Sequence, residues 1–312
     1  MAKIFLITGA TGFIGSMLLR KLISINEDVE IILRENSNTW RINDILKNIK
    51  IHYSDLSNLE QLKGTIDKVK PSIIYHLATH GAYSYQKDAN LIIKTNILGT
   101  WNLLQACNET DYELFINTGS SSEYGRKDFA MRENDALEPE SYYAVSKCAQ
   151  TLLCSNVAKQ ENKPIVILRP FSVYGPYEEP KRFIPTLLKS LFLKEEISLV
   201  SPEISRDQIF IDDIIEAYLK IEEMKKYKGE CFNIGTGVQS SIKEVVETAI
   251  KVTKVKIKLN WDSMEPRSWD TKNWVADISK ARQLLYWTPK ISLEEGIFLT
   301  WKWFLNNNKF YF

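Results

Sequence analysis

A glycine-rich turn within the first fifteen residues constrains the fold more than any other feature of this sequence. KIFLIT (residues 3–8) is an apolar run typical of buried parallel strands, and TGATGFIG follows it with Gly9, Gly12 and Gly15 three residues apart. A helical pattern (residues 13–25) begins inside the same motif. Glycines at this spacing allow a tight turn and a close backbone approach to a pyrophosphate, which the helix N-terminus attracts. The segment therefore predicts a dinucleotide-binding strand–turn–helix unit.

Strand-like apolar runs and helical patterns alternate through the first half of the chain. Further strands are predicted at residues 29–34, 49–55, 71–78, 114–121 and 164–171, with helices at 57–70, 89–109 and 140–162. Short connections between alternating strands and helices produce a parallel sheet with right-handed crossovers. We therefore predict an α/β fold, a Rossmann-type doubly wound parallel sheet over residues 1–170, with a smaller C-terminal α/β substrate lobe over residues 171–312. Segments near residues 206–235 are expected to return to the first domain.

Charge and cysteine content exclude several classes of partner. Lys plus Arg number 40 and Asp plus Glu number 39, so a net charge of +1 gives no reason to expect nucleic acid as a partner. No apolar run reaches membrane-spanning length, and the N-terminal run is too short for a signal peptide. The four cysteines form no CxxC pair and no zinc spacing. We expect a cytoplasmic protein with reduced cysteines, no metal site and no membrane contact.

Further motifs follow the glycine-rich turn in order along nearly the whole chain. They are SDL at 54–56, HLAT at 76–79, KTNILGT at 94–100, GSSSEYG at 119–125, YAVSK at 143–147 and RPFSVYGP at 169–176. Together they resemble the extended short-chain dehydrogenases/reductases of the nucleotide-sugar epimerase/dehydratase/reductase superfamily. The resemblance implies a Rossmann domain with a small lobe that binds a nucleotide-sugar. It also implies a homodimer in which two long helices of each subunit pair with their mates.

The end of the second predicted strand bears on the choice of nicotinamide cofactor. IILR ends on Arg34, where an NAD-binding protein usually places an acid against the adenosine ribose. An arginine can pair instead with the 2′-phosphate of NADP, and Ser37, Asn38 and Arg41 follow closely enough to complete a phosphate nest. We therefore favour NADP(H). NAD(H) stays open, because Arg34 could be a surface cation while Glu35 binds the ribose.

The predicted cofactor site combines the glycine-rich turn, the end of the second strand and positions implied by the resemblance. The resemblance places Asp55 and Leu56 beside the adenine and Ala78 on the nicotinamide side of the groove. The full predicted cofactor set is Gly9, Thr11, Gly12, Phe13, Ile14, Gly15, Arg34, Ser37, Asn38, Asp55, Leu56, Ala78, Tyr143, Lys147 and Pro170.

Tyr143 and Lys147 are candidate catalytic residues because they are four apart on a predicted helix and so share one face. A neighbouring ammonium and the cationic oxidised nicotinamide would lower the pKa of the phenol. The resemblance implies that Ser120 hydrogen-bonds the reacting oxygen, with Ser121 as the alternative. It also implies that Asn96 supports the helix geometry or a water relay, although a polar residue at that position could simply be exposed.

The serine run also bears on the reaction. By the resemblance, 4,6-dehydratases carry Thr-Asp-Glu or Thr-Ser-Glu from the Ser120 position, and the acid serves the elimination. This chain has Ser-Ser-Ser, and Glu123 comes one residue too late. We therefore disfavour a dehydratase. A reductase and a 4-epimerase remain, because both need only the serine, the tyrosine, the lysine and a hydride carrier.

Arginines of the second half are candidates for binding the diphosphate of the substrate. By the resemblance, Arg206 and Arg267 grip it and Arg182 could assist, and a guanidinium can pair with phosphate in a bidentate manner. The remaining predicted substrate contacts are Ser121, Ser172, His80 and Tyr83. Ser172 stands where many members carry Asn, and Gln208 replaces the usual aromatic, so the hexose and the base stay open.

The first hypothesis is an NADP(H)-dependent reduction of the C4 keto group of a nucleotide-linked 4-keto-6-deoxyhexose. The alternative is a nucleotide-sugar 4-epimerase with tightly bound NAD. A non-catalytic NADP-binding scaffold is a third hypothesis, and the intact pair of Tyr143 and Lys147 argues against it because a pure binder does not need that pair.

Overall fold

A parallel sheet flanked by helices forms the centre of the molecule. The computed structural model describes residues 3–265 and 270–312. The strands are, in chain order, β1 (Ile4–Thr8), β2 (Asp28–Leu33), β3 (Lys50–Tyr53), β4 (Ile73–His76), β5 (Leu114–Thr118), β6 (Ile165–Pro170), β7 (Ser172–Tyr174), β8 (Ile197–Ser198), β9 (Ser205–Arg206), β10 (Gln208–Phe210), β11 (Cys231–Ile234), β12 (Ser240–Ser241) and β13 (Leu259–Asn260). Strands β4, β5 and β6 are buried along their whole length, because helices cover both faces of the sheet.

The strand order places a crevice beside the glycine-rich turn. The central sheet has the order β11-β6-β5-β4-β1-β2-β3, and all its pairs are parallel. The chain leaves β1 towards β2 and β3, then returns to β4 on the other side of β1. Ligands of such sheets bind where the order reverses, outside the carboxyl ends of the strands. The predicted Rossmann-type α/β fold is confirmed. Its seventh strand, β11, comes from the second half of the chain and pairs with β6.

Helices pack on both faces of this sheet. They are α1 (Phe13–Ser24), α2 (Leu59–Val69), α3 (Ala89–Ile93), α4 (Gly99–Ala106), α5 (Tyr142–Gln160), α6 (Phe183–Leu193), α7 (Ile211–Tyr218), α8 (Ile221–Met224), α9 (Ile242–Thr253), α10 (Ser279–Leu284) and α11 (Leu293–Asn307). One face carries α2, α4 and α5, and α1 packs against α7 on the other. Among the described residues, no helix has both the length and the apolar character needed to cross a membrane.

The predicted long helix at 89–109 is interrupted in the structure. A π-helical segment, Lys94–Leu98, separates α3 from α4 and contains the fully buried Asn96. The Thr100 hydroxyl donates to the Asn96 carbonyl over 2.6 Å. Such π segments often occur at functional sites, and this one turns the Asn96 side chain into the interior.

The second half of the chain builds a smaller lobe from short strands and helices. Its two-stranded pairs are β7 with β10, β9 with β12 and β8 with β13. Helix α9 packs against α6 and α11. The fully buried Phe304 of α11 belongs to the hydrophobic core that also contains residues of β1. The aromatic stripe predicted at 293–308 is therefore packing surface.

Candidate active site

A cavity of about 1260 Å³ opens at the carboxyl ends of β1 and β4. Residues of the glycine-rich turn line one part of it, and residues of the smaller lobe, including Arg206 and Trp274, line another. Pockets for a single small ligand usually enclose roughly 300–1,000 Å³. The cavity therefore has room for a dinucleotide and a second ligand side by side.

The glycine-rich turn has the geometry of a pyrophosphate cradle. Gly9 has φ +76°, and a Cβ there would lie 2.5 Å from the Ala78 backbone nitrogen. A Cβ on Gly15 would collide with the Gly9 carbonyl. Gly12 is the N-cap of α1 and brings no side-chain oxygen to the helix N-terminus, so the backbone N–H groups of the first turn are left for an anion. These residues fit a dinucleotide cofactor, and every residue of the predicted cofactor set lines the cavity.

The turn after β2 presents a cation and no acid to the cavity. Arg34 and Ser37 close the turn on each other, since the Arg34 N–H donates to the Ser37 hydroxyl over 3.1 Å and the Ser37 N–H donates to the Arg34 carbonyl over 3.0 Å. Both line the cavity, as does Asn38, whereas Glu35 is exposed and does not. Arg41 also lines the cavity, and its buried guanidinium contacts Thr11, Tyr177 and Glu179, so its place in a phosphate nest stays a prediction.

Tyr143 lies in the first turn of α5, beside Ser120. The helix begins where the Ser141 hydroxyl accepts from the Ala144 N–H over 3.1 Å. Burial raises the pKa of Tyr143 to about 12, while a hydrogen bond with Ser120 acts in the opposite direction and the nearby Glu123 carboxylate adds to the rise. The protein alone thus gives this phenol a raised pKa, whereas the predicted lowering depends on the oxidised nicotinamide as well as on Lys147.

Lys147 lines the cavity and is held in place by two acceptors. Its buried ammonium donates to the Thr118 carbonyl over 2.6 Å and to Gln150 Oε1 over 2.7 Å. Burial lowers the pKa of Lys147 to about 8, because no carboxylate contacts the ammonium to offset its lost hydration, and Glu123 offsets it only at a distance. Thr118 ends β5, and Gln150 lies three residues after Lys147 on α5, so the helix and the strand together fix the ammonium.

The serine run separates into different environments. Ser120 caps a short 3₁₀ turn, Ser121–Tyr124, and its hydroxyl lies 2.7 Å from that of Ser122. Ser121 is buried, and its hydroxyl accepts a hydrogen bond from the Trp274 indole over 3.2 Å. All three serines line the cavity, but Ser120 is the one that lies close enough to Tyr143 to lower the pKa of its phenol. This geometry favours Ser120 over Ser121 as the serine that accompanies the tyrosine.

Glu123 is fully buried and turned into the protein. Its carboxylate accepts from the Ser120 N–H over 2.7 Å, from the Thr151 hydroxyl over 3.1 Å and from Arg169 Nε over 2.9 Å. It does not line the cavity. Glu123, which lies one residue after the position of the dehydratase acid, thus holds the serine turn in place.

Asn96 and His80 do not lie at the cavity surface. The Asn96 amide donates to the His80 carbonyl and to the Ser146 hydroxyl, each over 2.8 Å, and accepts from the His80 N–H over 2.8 Å. All its polar atoms are used in joining the loop after β4 to α5. The predicted sugar contact by His80 is wrong for its side chain, because His80 does not line the cavity, whereas Tyr83 does.

The part of the cavity formed by the second half of the chain carries most of the other predicted contacts. Ser172, Arg182 and Arg206 line it, and Arg206 contacts Asp270 over 3.1 Å and lies 5.2 Å from the Trp274 ring centre. Arg267 lies outside the described residues. Sequence reasoning missed Trp274, which reaches Ser121 from 153 residues away without any local pattern. It also missed Gln150, although its place three residues after Lys147 on one helix was a usable signal.

Comparison with known proteins places this architecture among nucleotide-sugar enzymes. The family model described as GDP-mannose 4,6 dehydratase matches residues 6–300. The uncharacterized UDP-glucose epimerase YtcB of Bacillus subtilis is 30% identical, and the match covers 94% of this chain and 95% of that protein.

Two solved structures share the fold over nearly their whole length. The UDP-glucose 4-epimerase of Thermotoga maritima, solved with UDP-glucose, superposes with a TM-score of 0.89 at 26% identity, covering 98% of this chain and 99% of that one. The UDP-glucuronic acid 4-epimerase of Bacillus cereus, solved with UDP-glucuronic acid and NAD, has a TM-score of 0.86 at 30% identity, covering 97% and 99%.

Proposed function

The chain belongs to the GDP-mannose 4,6-dehydratase family of extended short-chain dehydrogenases/reductases, and we propose that it is a nucleotide-sugar 4-epimerase. The observation that carries the proposal is that Ser120 and Tyr143 lie beside each other in a cavity that the glycine-rich turn and Arg206 also line, and that this cavity is large enough for two ligands. The similar proteins named as epimerases support this reaction over the reductase that the sequence favoured.

The residues of this chain bind and orient the cofactor and the substrate, and they move a proton. The glycine-rich turn would hold the pyrophosphate of a nicotinamide dinucleotide, and Arg206 would hold the diphosphate of a UDP-hexose. When bound, an oxidised nicotinamide would supply reversible hydride transfer at C4, and its positive charge would favour a Tyr143 phenolate. Tyr143 takes the proton of the C4 hydroxyl and gives it back, and Ser120 holds that oxygen. Lys147, fixed by Thr118 and Gln150, keeps a positive charge below the tyrosine.

The position of Glu123 supports the choice of an epimerase over a dehydratase. Elimination of the C6 hydroxyl needs a proton donor facing the sugar. The Glu123 carboxylate instead faces Arg169, Thr151 and the Ser120 backbone. The two residues that follow Ser120 both line the cavity, and both are serines. Proton transfer at C4 alone needs no such acid.

Arg34 favours a second candidate, the NADP(H)-dependent 4-ketoreductase. Its side chain is exposed at the end of β2 and lines the cavity, where a 2′-phosphate would find a guanidinium, the Ser37 hydroxyl and no acid from Glu35. A reductase must take up fresh reduced cofactor in every cycle, and NADPH serves that role in biosynthesis. Binding of NAD in the structure of the similar Bacillus cereus epimerase supports the first candidate instead.

A substrate panel tests the proposal. The purified protein is incubated with UDP-, dTDP-, CDP- and GDP-hexoses and with their 4-keto-6-deoxy derivatives, with NADPH supplied in a parallel set. We expect a C4 epimer of a UDP-hexose without a net change in the reduced-nicotinamide absorbance. Steady consumption of NADPH with a 4-keto sugar, and no epimer from any hexose, would establish the second candidate instead.

Titration of the Arg34→Ala variant decides the cofactor. A charge-assisted pair to phosphate contributes about 1.5–3 kcal/mol, or roughly one to two decades in affinity. If Arg34 pairs with a 2′-phosphate, the variant loses affinity for NADP(H) alone. If the wild type binds NAD(H) more tightly and the variant leaves both affinities unchanged, Arg34 is a surface cation.

A further inference from the structure

An ion pair joins two walls of the cavity beside the glycine-rich turn. Arg41 follows β2, Glu179 follows β7, and 138 residues separate them in the sequence. The Arg41 guanidinium pairs with the Glu179 carboxylate over 3.1 Å and donates through Nε to the Tyr177 carbonyl over 2.7 Å. Both side chains are largely buried and both residues line the cavity. We call this contact the Arg41–Glu179 bridge.

The same guanidinium also touches the turn that cradles the pyrophosphate. Arg41 Nη1 donates to the Thr11 carbonyl over 3.3 Å, and Thr11 is the residue before the N-cap of α1. The Arg41 side chain therefore fixes the peptide entering the helix N-terminus while it holds the opposite wall. A side chain with one such contact would be a local brace, but this one joins three segments of the site.

Aromatic side chains pack around the Arg41 end of the bridge and around Tyr177, which lies two residues before Glu179. Trp40 stacks against the Arg41 guanidinium at 4.3 Å and packs against Tyr177 and Phe310. Tyr177 has φ +67°, a left-handed conformation that a non-glycine residue adopts only when its surroundings impose it. Trp303 of α11 lies 4.7 Å from the Tyr177 ring centre. Aromatic packing thus fixes Arg41 and the backbone that leads to Glu179.

We propose that the Arg41–Glu179 bridge is a clasp over the cofactor seated on the glycine-rich turn, and that its opening limits cofactor release. The inference rests on the proposed function only in that a nicotinamide dinucleotide occupies this turn. Arg41 and Glu179 are positioning residues, since neither needs to touch the reacting atoms. An epimerase restores the oxidation state of its cofactor in every turnover. Because the cofactor does not have to leave, such an enzyme works with the clasp closed throughout.

The rate of cofactor release tests the clasp without any sugar substrate. The fluorescence of bound NADH or NADPH is followed after mixing with a large excess of the oxidised form, for the wild type, Arg41→Met, Glu179→Gln and the double variant. Loss of a charge-assisted contact of this kind corresponds to about ten- to a hundred-fold in rate. We expect each single variant to release the cofactor faster by this factor. The double variant should be no faster than the faster single variant, because both remove one bridge.

Asp277→Asn is the matched control. Asp277 pairs with Arg132 over 3.2 Å, and neither residue lines the cavity or belongs to the segments that the bridge joins, so release should stay at the wild-type rate. Unchanged release in both single variants, or rate effects that multiply in the double variant, would overturn the clasp. If Arg41→Met does not fold, Glu179→Gln and its release rate decide the matter. A wild type that binds neither dinucleotide would contradict the proposed function itself, which separates the two failures.

Discussion

At the scale of single residues, burial decides what each polar side chain of the site does. Tyr143 and Lys147 both lose hydration, and this raises the pKa of the phenol to about 12 and lowers the pKa of the ammonium to about 8. Burial thus makes the Tyr143 phenol harder to deprotonate than a free tyrosine, and the Lys147 ammonium easier to deprotonate than a free lysine. A positive charge placed beside Tyr143 would lower the pKa of the phenol, because it favours the phenolate.

Tyr143→Phe tests the role of the phenol. The variant keeps the ring and loses only the proton carrier, so turnover should fall by about two to four orders of magnitude while cofactor affinity stays nearly unchanged. Turnover is measured by epimer formation and affinity by cofactor fluorescence. Wild-type turnover in this variant would remove Tyr143 from the mechanism.

Glu123→Gln tests whether the buried carboxylate positions Ser120. The amide still accepts from the Ser120 N–H, but its NH₂ group faces Arg169 and leaves a buried guanidinium without its counter-charge. We expect kcat to fall about ten- to a hundred-fold with little change in KM, since the serine turn shifts while the arginines proposed to bind the substrate do not.

Thr151→Val is the control for Glu123→Gln, because it removes one hydrogen bond to the same carboxylate and leaves the bond to Ser120. It should lower stability and keep kcat. Thermal unfolding of both variants separates the two effects. If Glu123→Gln folds and turns over like the wild type, the carboxylate does not position the serine.

Residues were predictable from sequence where the contact was local or carried by a motif. Each of three such groups spans only a few residues of sequence: the glycine-rich turn, Tyr143 with Lys147, and Arg34 with Ser37. All of them line the cavity. Trp274, Arg41 with Glu179, and the inward turn of Asn96 depend on segments that meet only in the folded chain. No pattern along the sequence records which side of a loop faces a cavity.

At the scale of elements, β1 and β4 meet through a buried histidine at their carboxyl ends. The His76 ring lies 2.7 Å from the Thr8 hydroxyl and 2.9 Å from the Thr100 hydroxyl. Gln150 donates to the same Thr100 oxygen over 2.8 Å and accepts from Lys147, so the contact between the strands continues to helix α5. Burial lowers the pKa of His76 to about 3, with the nearby Lys147 charge adding to the effect.

The stability of the His76→Gln variant should depend on pH differently from that of the wild type. His76 stays neutral in the folded protein down to about pH 3, while in the unfolded chain it takes up a proton below about pH 6.5. Its contribution is therefore complete above the unfolded pKa and is lost as pH falls towards the folded pKa. Urea unfolding at about pH 7.5 and about pH 5.5 should show the destabilisation by the variant shrinking by about 1.4 kcal/mol at the lower pH. An equal difference at both pH values would mean that the folded ring titrates normally.

At the scale of the whole molecule, an apolar face on α4 and α5 predicts a homodimer. Trp101 on α4 and Val145 and Leu152 on α5 are 40%, 48% and 60% exposed, and the two helices pack against each other. Large exposed apolar side chains on adjacent helices mark an interaction surface. Light scattering should give twice the 36.1 kDa chain mass at micromolar concentration, and Leu152→Glu should give the single mass. A wild type of single mass at that concentration would contradict the dimer.

The fate of the hydrogen on C4 tests the epimerase most directly. UDP-glucose and UDP-glucuronic acid carrying deuterium at C4 are incubated with the purified protein without added cofactor, and the products are analysed by mass spectrometry and NMR. An epimerase returns the same hydrogen to the other face of C4, so we predict the C4 epimer with its deuterium retained. No epimer from either sugar, together with transfer of deuterium from labelled NADPH to C4 of a 4-keto-6-deoxy sugar, would contradict the epimerase and identify a reductase.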